Sequence, residues 1–519
     1  MKLIVRTRVV AALSVLALPG VSLAAQTVEV MPSQLKSVAT TDERYQSYNI
    51  EMAEVIGGRF WKPYAHSDGA PPPSGDVEVG GQNRLFEARA PVDLSSTRLR
   101  ILAAALGPAF LRVSGTWANS VYFQDDDAPA LASPPQGFRG VLTRAQWRGV
   151  VEFGKAVDAR LVTSFTISPG VRDPSGAWTP LEAKPLLEFT RSMGGEIAAA
   201  ELFNEPNVPG HGAAPAKYAA SWFARDEAAF RAFAAAEAPK MRIVGPGDVV
   251  VANFEIPDSL QVRDLLTSEP VPSFDIFSYH FYGAVSQRCA PAGSPMGTTL
   301  EKVLSEEWLA KTDKAFDTHK VLRDEYAAGK PVWLTETAEA ACGGDPWAAS
   351  FADSFRYVDQ LARLAKQGVS AVFHNTLAAS EYGLIDQTTL APRPNYWAAL
   401  LWRHLMGNVV LDAGATQPDI HLYAHCLRDH TGGVALLVLN LSDAPAVLAI
   451  DGAHGASYAL TAPSLQSQGV LLNGRPLTLA ADGKLPEIKG RRLRSGRADL
   501  APQSIEFISV PGAHNASCP

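Results

Sequence analysis

Pro331-Val332-Trp333-Leu334-Thr335-Glu336-Thr337 is a short apolar run that ends on a carboxylate. Its length and composition read as a buried strand, with the acid at its carboxyl-terminal end. Leu202-Phe203-Asn204-Glu205-Pro206-Asn207, about 130 residues earlier, has the same form, and Pro206 stops the strand there. Outward from these two, six further runs read as strands: Tyr45–Glu51, Ala109–Ser114, Leu161–Ile167, Arg242–Gly245, Phe274–His280 and Ala371–Asn375. With Ala199–Phe203 and Val332–Glu336 they make eight. Helical patterns such as Thr143–Asp158, Tyr218–Ala236, Leu300–Ala328 and Trp347–Lys366 lie between them. Alternation of strand and helix implies parallel pairing, and eight such units close into a (β/α)8 TIM barrel, here over residues 41–407. Chemistry in that α/β architecture gathers at the carboxyl ends of the strands. Glu205 and Glu336 follow the fourth and seventh strands, so both are expected at one end.

Beyond Gly407 the pattern shortens to alternating runs: His421–Cys426, Val434–Asn440, Ala446–Ile450, Gly469–Leu472 and Ser504–Val510. Turn signals such as Thr431-Gly432-Gly433 and Asn473-Gly474 separate them. This predicts a β-sandwich domain over 408–519. Residues 25–40, with Thr27-Val28-Glu29-Val30, are expected to add a strand to it. The stretches Ala70–Gly75 and Gln124–Gln136 read as loops.

Residues 1–24 have the three parts of a signal peptide: Lys2, Arg6 and Arg8, then the apolar run Val9–Val21, then Ser22-Leu23-Ala24. Export to the periplasm or medium is the expectation, with no membrane attachment after cleavage. Hydrophobic residues make up 47% of the 519 and charged residues 19%, which excludes a disordered or fibrous chain. Without the leader, 43 basic face 53 acidic side chains, a balance that argues against nucleic acid as a partner. One basic cluster stands apart: Lys489, Arg491, Arg492, Arg494 and Arg497. It reads as a solvated loop or as a patch for an anionic polymer. Cys289, Cys342, Cys426 and Cys518 permit disulfides in an exported protein, in three possible pairings. Their spacing is not that of a metal site, and no phosphate-binding glycine loop or nucleophile elbow is present, so neither metal nor cofactor is implied.

Two carboxyls converging on one bond are what glycoside hydrolysis with retention needs: one protonates the leaving oxygen and the other attacks the sugar carbon. The acid must hold its proton near neutral pH, which calls for burial or a nearby anion. The nucleophile must stay ionised, and His280 and Tyr282, in Tyr279-His280-Phe281-Tyr282-Gly283, can supply donors to it.

Ala199–Asn207 resembles the acid/base motif of the heparanase-type glycosidases, glycoside hydrolase family 79. Val332–Gly344 is similar to their nucleophile strand. The likeness continues through Tyr382-Gly383-Leu384-Ile385-Asp386 and Pro394-Asn395-Tyr396-Trp397, and spans about Tyr48 to Cys518. The resemblance implies a retaining β-glucuronidase with Glu205 as acid/base and Glu336 as nucleophile. It implies that Asn204 bonds the sugar 2-hydroxyl, and that Gly343, Gly344, Tyr382 and Tyr282 serve the glucuronate subsite; His280, at its strand end, is expected among the substrate-binding residues. Glu51 and Thr116 correspond to residues that contact sugar hydroxyls, although Glu51 can equally be a structural carboxylate paired with Arg112. It also implies a Cys426–Cys518 disulfide, which leaves Cys289 and Cys342, after neighbouring strands, for a second bridge.

Two departures stand out. Mammalian members excise a linker between their second and third strands; here Tyr122–Arg144 is short, so a single uncut chain is expected, and with its leader it reads as bacterial. The basic residues that those members carry after the fifth strand are replaced by Gly247-Asp248-Val249-Val250-Val251, and Arg59, Lys62 and Arg288 are candidate substitutes. The expected activity is endo-β-glucuronidase action on anionic, heparan sulfate-type chains by a monomer. The alternatives are exo-removal of terminal glucuronate and, in another class, a non-catalytic carbohydrate-binding barrel. The insert Trp61–Arg98 can either block the cleft or lengthen it.

Overall fold

The computed structural model describes residues 26–64 and 85–519 except 255, 257, 291, 292, 452 and 453. The leader and the loop Ala70–Gly75 lie outside these residues. Eight parallel strands close a barrel in chain order: β1 Gln46–Glu51, β2 Ala109–Ser114, β3 Ala159–Ser164, β4 Ile197–Glu201, β5 Arg242–Val251, β6 Ile276–Val285, β7 Val332–Ala341 and β8 Ala371–His374. A helix on the outer face precedes each return to the barrel. Among them are Thr97–Ala105, Arg144–Ala156, Ala220–Glu237, Lys311–Tyr326 and Phe351–Lys366. Arg144–Ala156 starts where Thr143 and Gln146 satisfy each other's backbone donors in a capping box.

Phe110, Val162, Ala199, Val244, Ile276, Trp333, Ala371 and Phe373 fill the barrel interior as one apolar layer. Strand side chains alternate faces, so two residues further along β2 and β4 the same inward face carries Arg112 and Glu201. The apolar layer thus forms the floor of a polar chamber at the carboxyl ends of the strands.

The region after residue 405 is strand-rich. Ser37–Thr40, Met406–Leu411, Ile420–Leu427, Val434–Asn440, Ser504–Val510 and Ala456–Thr461 pair antiparallel in that order and continue into two short strands. Gln26–Val30, Ala446–Ile450 and Arg497–Leu500 form a second, three-stranded sheet. Val28, Leu422, Val434, Leu436, Leu448, Leu500 and Ile508 pack between the sheets, which makes the unit a sandwich. Cys426 is bonded to Cys518.

Helix Phe351–Lys366 is buried along almost its whole length because it serves both units. Its first turn donates Phe351 N–H to Ser467 O and Ala352 N–H to Leu465 O, so a sandwich loop caps a barrel helix. On its far side Asp359 accepts from His421 (2.7 Å) and Tyr423 (2.6 Å) of the sandwich.

Several expectations are corrected. The single helix Leu300–Ala328 is three pieces, because Ser305 caps a new start at Glu306 and the chain turns again at Ala310. Gly469–Leu472 shrinks to Leu471–Leu472. Val121–Gln124 and Gly140–Thr143, on either side of the loop read at Gln124–Gln136 and not expected as strands, pair as a two-stranded parallel ribbon. Gly58–Trp61 and Phe86–Arg89, at the two ends of the long insert, form an antiparallel hairpin.

Candidate active site

β4 ends at Glu201, and the next residues carry Asn204 and Glu205 over the barrel mouth. Glu205 has φ 55°, a left-handed position that non-glycine residues rarely occupy. Pro206 disfavours the right-handed helical region for it, so the chain turns sharply and the side chain is thrown over the barrel axis. Across the mouth, a register shift between Tyr279 and His280 sets His280 opposite Glu336 on β6 and β7. One oxygen of Glu205, one of Glu336 and a ring nitrogen of His280 lie within 4.8 Å of one another.

Arg112 organises this group. Its buried guanidinium donates to Glu201 (2.8 Å), Glu336 (2.9 Å) and Asn204 Oδ1 (2.7 Å), and lies 3.2 Å from His280 Nε2. Burial works against its charge, but the carboxylates of Glu201 and Glu336 outweigh that and hold it protonated. His280 Nδ1 is 3.1 Å from Glu205 Oε1. Burial and Arg112 keep the imidazole neutral by lowering its pKa, against the opposing pull of Glu336. Glu336 also accepts from Tyr282 Oη at 2.7 Å, so it has two strong donors.

Glu205 differs. About 15% of its side chain reaches solvent, yet burial pushes its pKa up to about 7; Arg112 and His211 pull it down, and Glu201 and Asp248 add to the rise. The two acids thus differ in setting: burial holds the proton on Glu205 near neutral pH, while Glu336 accepts from a guanidinium and a phenol.

Beside Glu336 a second polar group closes the chamber. Asn375 Nδ2 reaches Glu51 (3.1 Å), Tyr282 Oη (3.0 Å) and Tyr382 Oη (3.3 Å). Burial and the Glu336 charge raise the Glu51 pKa well above the ordinary carboxylate range. Glu51 makes no ion pair with Arg112; that pairing is overturned, because Arg112 turns to Glu201 and Glu336 while Glu51 faces Asn375 and the backbone of Gly115. Thr116 follows Gly115 on the same rim, half-buried, with no hydrogen bond to this group.

Cys342, Gly343 and Gly344 run at φ 66°, 80° and 83°, so the chain after β7 folds back sharply. The Gly344 N–H donates to Ala340 O (3.2 Å) and is committed there, which leaves Gly343 as the nearer candidate to offer an amide to an anion. The loop is pinned from below by Glu339, which accepts from Asp345 N–H, and from the side by Cys289–Cys342. The insert hairpin covers it: Trp61 packs directly on Gly343, Tyr64 bonds Ser286 (2.8 Å) and Glu381 (3.0 Å), and Arg288 lies over the Tyr64 ring and donates to Lys62 O. Asp248, in the stretch that lacks basic residues, is paired with His319 at 2.9 Å and buried.

Glu205, His280 and Glu336 could be read as a cation's ligands. Arg112 argues against that: it places a fixed positive charge on Glu336 and occupies the lone pair of His280 Nε2, which puts the hydrogen on Nδ1, the atom facing Glu205. Arg112, Glu201 and Asn375 are the site residues that sequence reading missed. A charged residue two positions beyond an inward apolar one on a strand was the available signal for Arg112 and Glu201.

Several relatives match across most of the chain. A hyaluronoglucuronidase of Hirudo nipponia is 27% identical over 470 residues, covering 82% of this chain and 92% of that one. A heparanase of Mus musculus is 26% identical over 488 residues, covering 82% and 88%. Among solved structures, an α-L-arabinofuranosidase from Thermotoga maritima superposes with a TM-score of 0.61 at 15% identity, over 94% of this chain and all of that one; this likeness concerns the fold. The family model described as "Glycosyl hydrolase family 79, N-terminal domain" matches residues 90–362, just over half the chain and six of the eight barrel strands. With a closed barrel, paired acids at its mouth and that match, the chain is a glycoside hydrolase that belongs to glycosyl hydrolase family 79.

Proposed function

We propose that this enzyme is a retaining β-glucuronidase that cleaves within glucuronate-containing polysaccharides of the heparan sulfate type. Glu336 is the nucleophile and Glu205 the acid/base. The observation that carries the reading is the approach of the two carboxyls within 4.8 Å, too close for the water of an inverting mechanism and suited to direct attack. In the first step Glu336 bonds the anomeric carbon while Glu205 gives its proton to the departing oxygen. In the second, Glu205 takes a proton from water as that water displaces Glu336. Asn204, fixed by Arg112 and by its N–H bond to Asn119, is set to meet the 2-hydroxyl. Tyr382 and the Gly343 amide meet the glucuronate carboxylate.

A second reading, exo-removal of terminal glucuronate, has one specific observation in its favour. The hairpin Gly58–Trp61/Phe86–Arg89 is fastened over Gly343 and tied to the loops after β6 and β8, which supports a wall on that side of the cleft. Two cysteine pairs and the leader-like N-terminus support export.

Size-defined heparan sulfate and a p-nitrophenyl glucuronide separate the readings. Endo action shortens the mean chain length early. Release of glucuronate with chain length nearly unchanged assigns exo action. Proton NMR of the first product should show the β-anomer; an initial α-anomer would remove retention. Turnover of neither substrate would remove the glucuronidase reading.

A further inference from the structure

We propose that the run Arg491–Arg497 on the C-terminal sandwich is a second binding site, apart from the acid pair, for a sulfated or carboxylated polysaccharide chain. The choice of polymer rests on the reading of the substrate given above; the existence of an anion site does not.

Arg491, Arg492, Arg494 and Arg497 are all exposed, on a chain whose formal net charge is −7. Among the described residues none of the four forms an ion pair with a carboxylate. Of the nearby acids, Glu487 is paired with Lys489 at 2.6 Å and Glu506 is buried against Ser457, while Asp499, Glu29 and Asp451 lie near Arg497 without pairing to it. Four unneutralised guanidiniums within seven residues repel one another, and a polyanion relieves that repulsion.

The run is also held by the fold. Arg491 and Arg492 pair with Ser457 and Ala456 of the large sheet. Leu493 turns inward, buried in the sandwich core, and its N–H bonds Gly455 O at 2.9 Å. Arg494 then faces Arg497 across a tight turn at Ser495-Gly496, and Arg497 begins a strand of the small sheet. Arg492 and Arg494, either side of inward Leu493, therefore share the outer face of the strip that joins the two sheets, about 6–7 Å apart along the extended chain, while Arg491 lies on the side of Glu506. Little side-chain-independent ordering remains to be done on binding. Arginine rather than lysine fills four of the five positions, and its planar fork matches sulfate and carboxylate with two parallel hydrogen bonds. A cavity of about 700 Å³ adjoins Arg497, but Glu29 and Asp451 also line it, so the anion positions lie along the strip and not within it. Two sites on one polymer raise the local concentration of chain at the barrel mouth without new contacts there.

The test uses the full-length chain carrying Glu336→Gln, so that the probe is not consumed, and fluorescent heparin of defined length. Replacing Arg491, Arg492, Arg494 and Arg497 together by alanine should weaken binding about tenfold at 0.15 M salt. It should also reduce the slope of log Kd against log salt by about three. The same four changes in the enzyme with Glu336 intact should leave p-nitrophenyl glucuronide hydrolysis within twofold. The all-lysine version should keep the salt slope and lose part of the affinity. Unchanged affinity and slope in the alanine variant, at an unchanged melting temperature, would overturn the site. Should the alanine variant melt early, a lysine version binding as tightly as the parent would overturn the bidentate assignment. Tighter binding of single-stranded DNA or phosphatidylserine vesicles than of heparin would overturn the polysaccharide. Loss of aryl glucuronide turnover in the parent enzyme bears on the proposed activity alone.

Discussion

Arg112 Nη2 meets His280 Nε2 at 3.2 Å, and this contact decides which ring nitrogen of His280 carries the hydrogen. Arginine only donates, so Nε2 accepts and Nδ1 bears the proton. Nδ1 then donates to Glu205 Oε1 at 3.1 Å, which leaves Oε2 as the oxygen that holds the acid's own proton. One guanidinium thus holds the Glu336 carboxyl in place and orients a proton at Glu205.

Replacing Arg112 should therefore harm both functions at once. Arg112→Gln leaves Glu201 and Glu336 buried without their cation, and should lower stability by about 3–5 kcal/mol in urea unfolding. Arg112→Lys keeps the charge but cannot span four partners; kcat/KM should drop about 10²–10³-fold. Near-normal kcat/KM in either variant would remove Arg112 from its organising role.

Glu205→Gln should discriminate between leaving groups. A natural sugar alkoxide needs the proton, and its hydrolysis should slow about 10²–10⁴-fold. A p-nitrophenolate leaves unaided, so the first step on that substrate should survive as a burst before slow release. Equal losses on both substrates would contradict the acid role.

The pH dependence follows from the raised acids. Glu205, at about 7, holds its proton below that pH, so kcat/KM on unactivated linkages should fall as pH rises through 7. The same limb should be absent in Glu205→Gln assayed with the aryl substrate. Stability has the same sign. Burial pushes Glu54 and Glu227 up to about 8, against 4.5 for the unfolded groups, so between these values the folded state binds more protons and loses stability as pH rises. His319, raised by Asp248 against the lowering effect of its own burial, adds in the same direction. His374 and His425, lowered by burial to about 4, favour higher pH only up to about 6.5. The melting temperature should be lower at pH 8.5 than at pH 6.5, and calorimetry giving the reverse order would refute this assignment.

Gly343→Ala tests the rim. An added Cβ would lie 2.7–2.8 Å from Trp61, at a φ of 80° that alanine resists. Stability should fall by about 1–3 kcal/mol, and KM for a glucuronide should rise more than for the corresponding neutral glucoside. Trp61→Ala in the same chain should restore stability in part, since it removes the clash while leaving the backbone strain.

Much of the barrel was legible because its strands are continuous apolar runs bounded by breakers, and parallel buried strands have that form. β2 was placed with its observed limits, Ala109–Ser114, whereas β5 runs six residues further than expected and β6 and β7 five. Their extensions carry polar residues such as Asp248, Tyr282 and Glu339, which look like loop in a sequence and are strand because the chamber they line is polar. The hairpin at Gly58–Trp61 was hidden for another reason. Its partner, Phe86–Arg89, lies beyond a long insertion, and distance along the chain conceals such a pairing. Arg112 was weighed only as a partner for Glu51. The register that carries it to Glu201 and Glu336 is a property of the closed barrel, not of any local window.

Strand Gln26–Val30 finds its neighbour at Ala446–Ile450, and Ser37–Thr40 finds its own at Met406–Leu411. The earliest-synthesised segments of the folded protein therefore wait for some of the last. Until more than four hundred residues have been made, both are loose ends, and the eight-stranded body cannot be sealed to its companion. Translation order and assembly order are opposed in this chain, so a shortened version ending near residue 405 would expose two orphan strands rather than yield a smaller working enzyme.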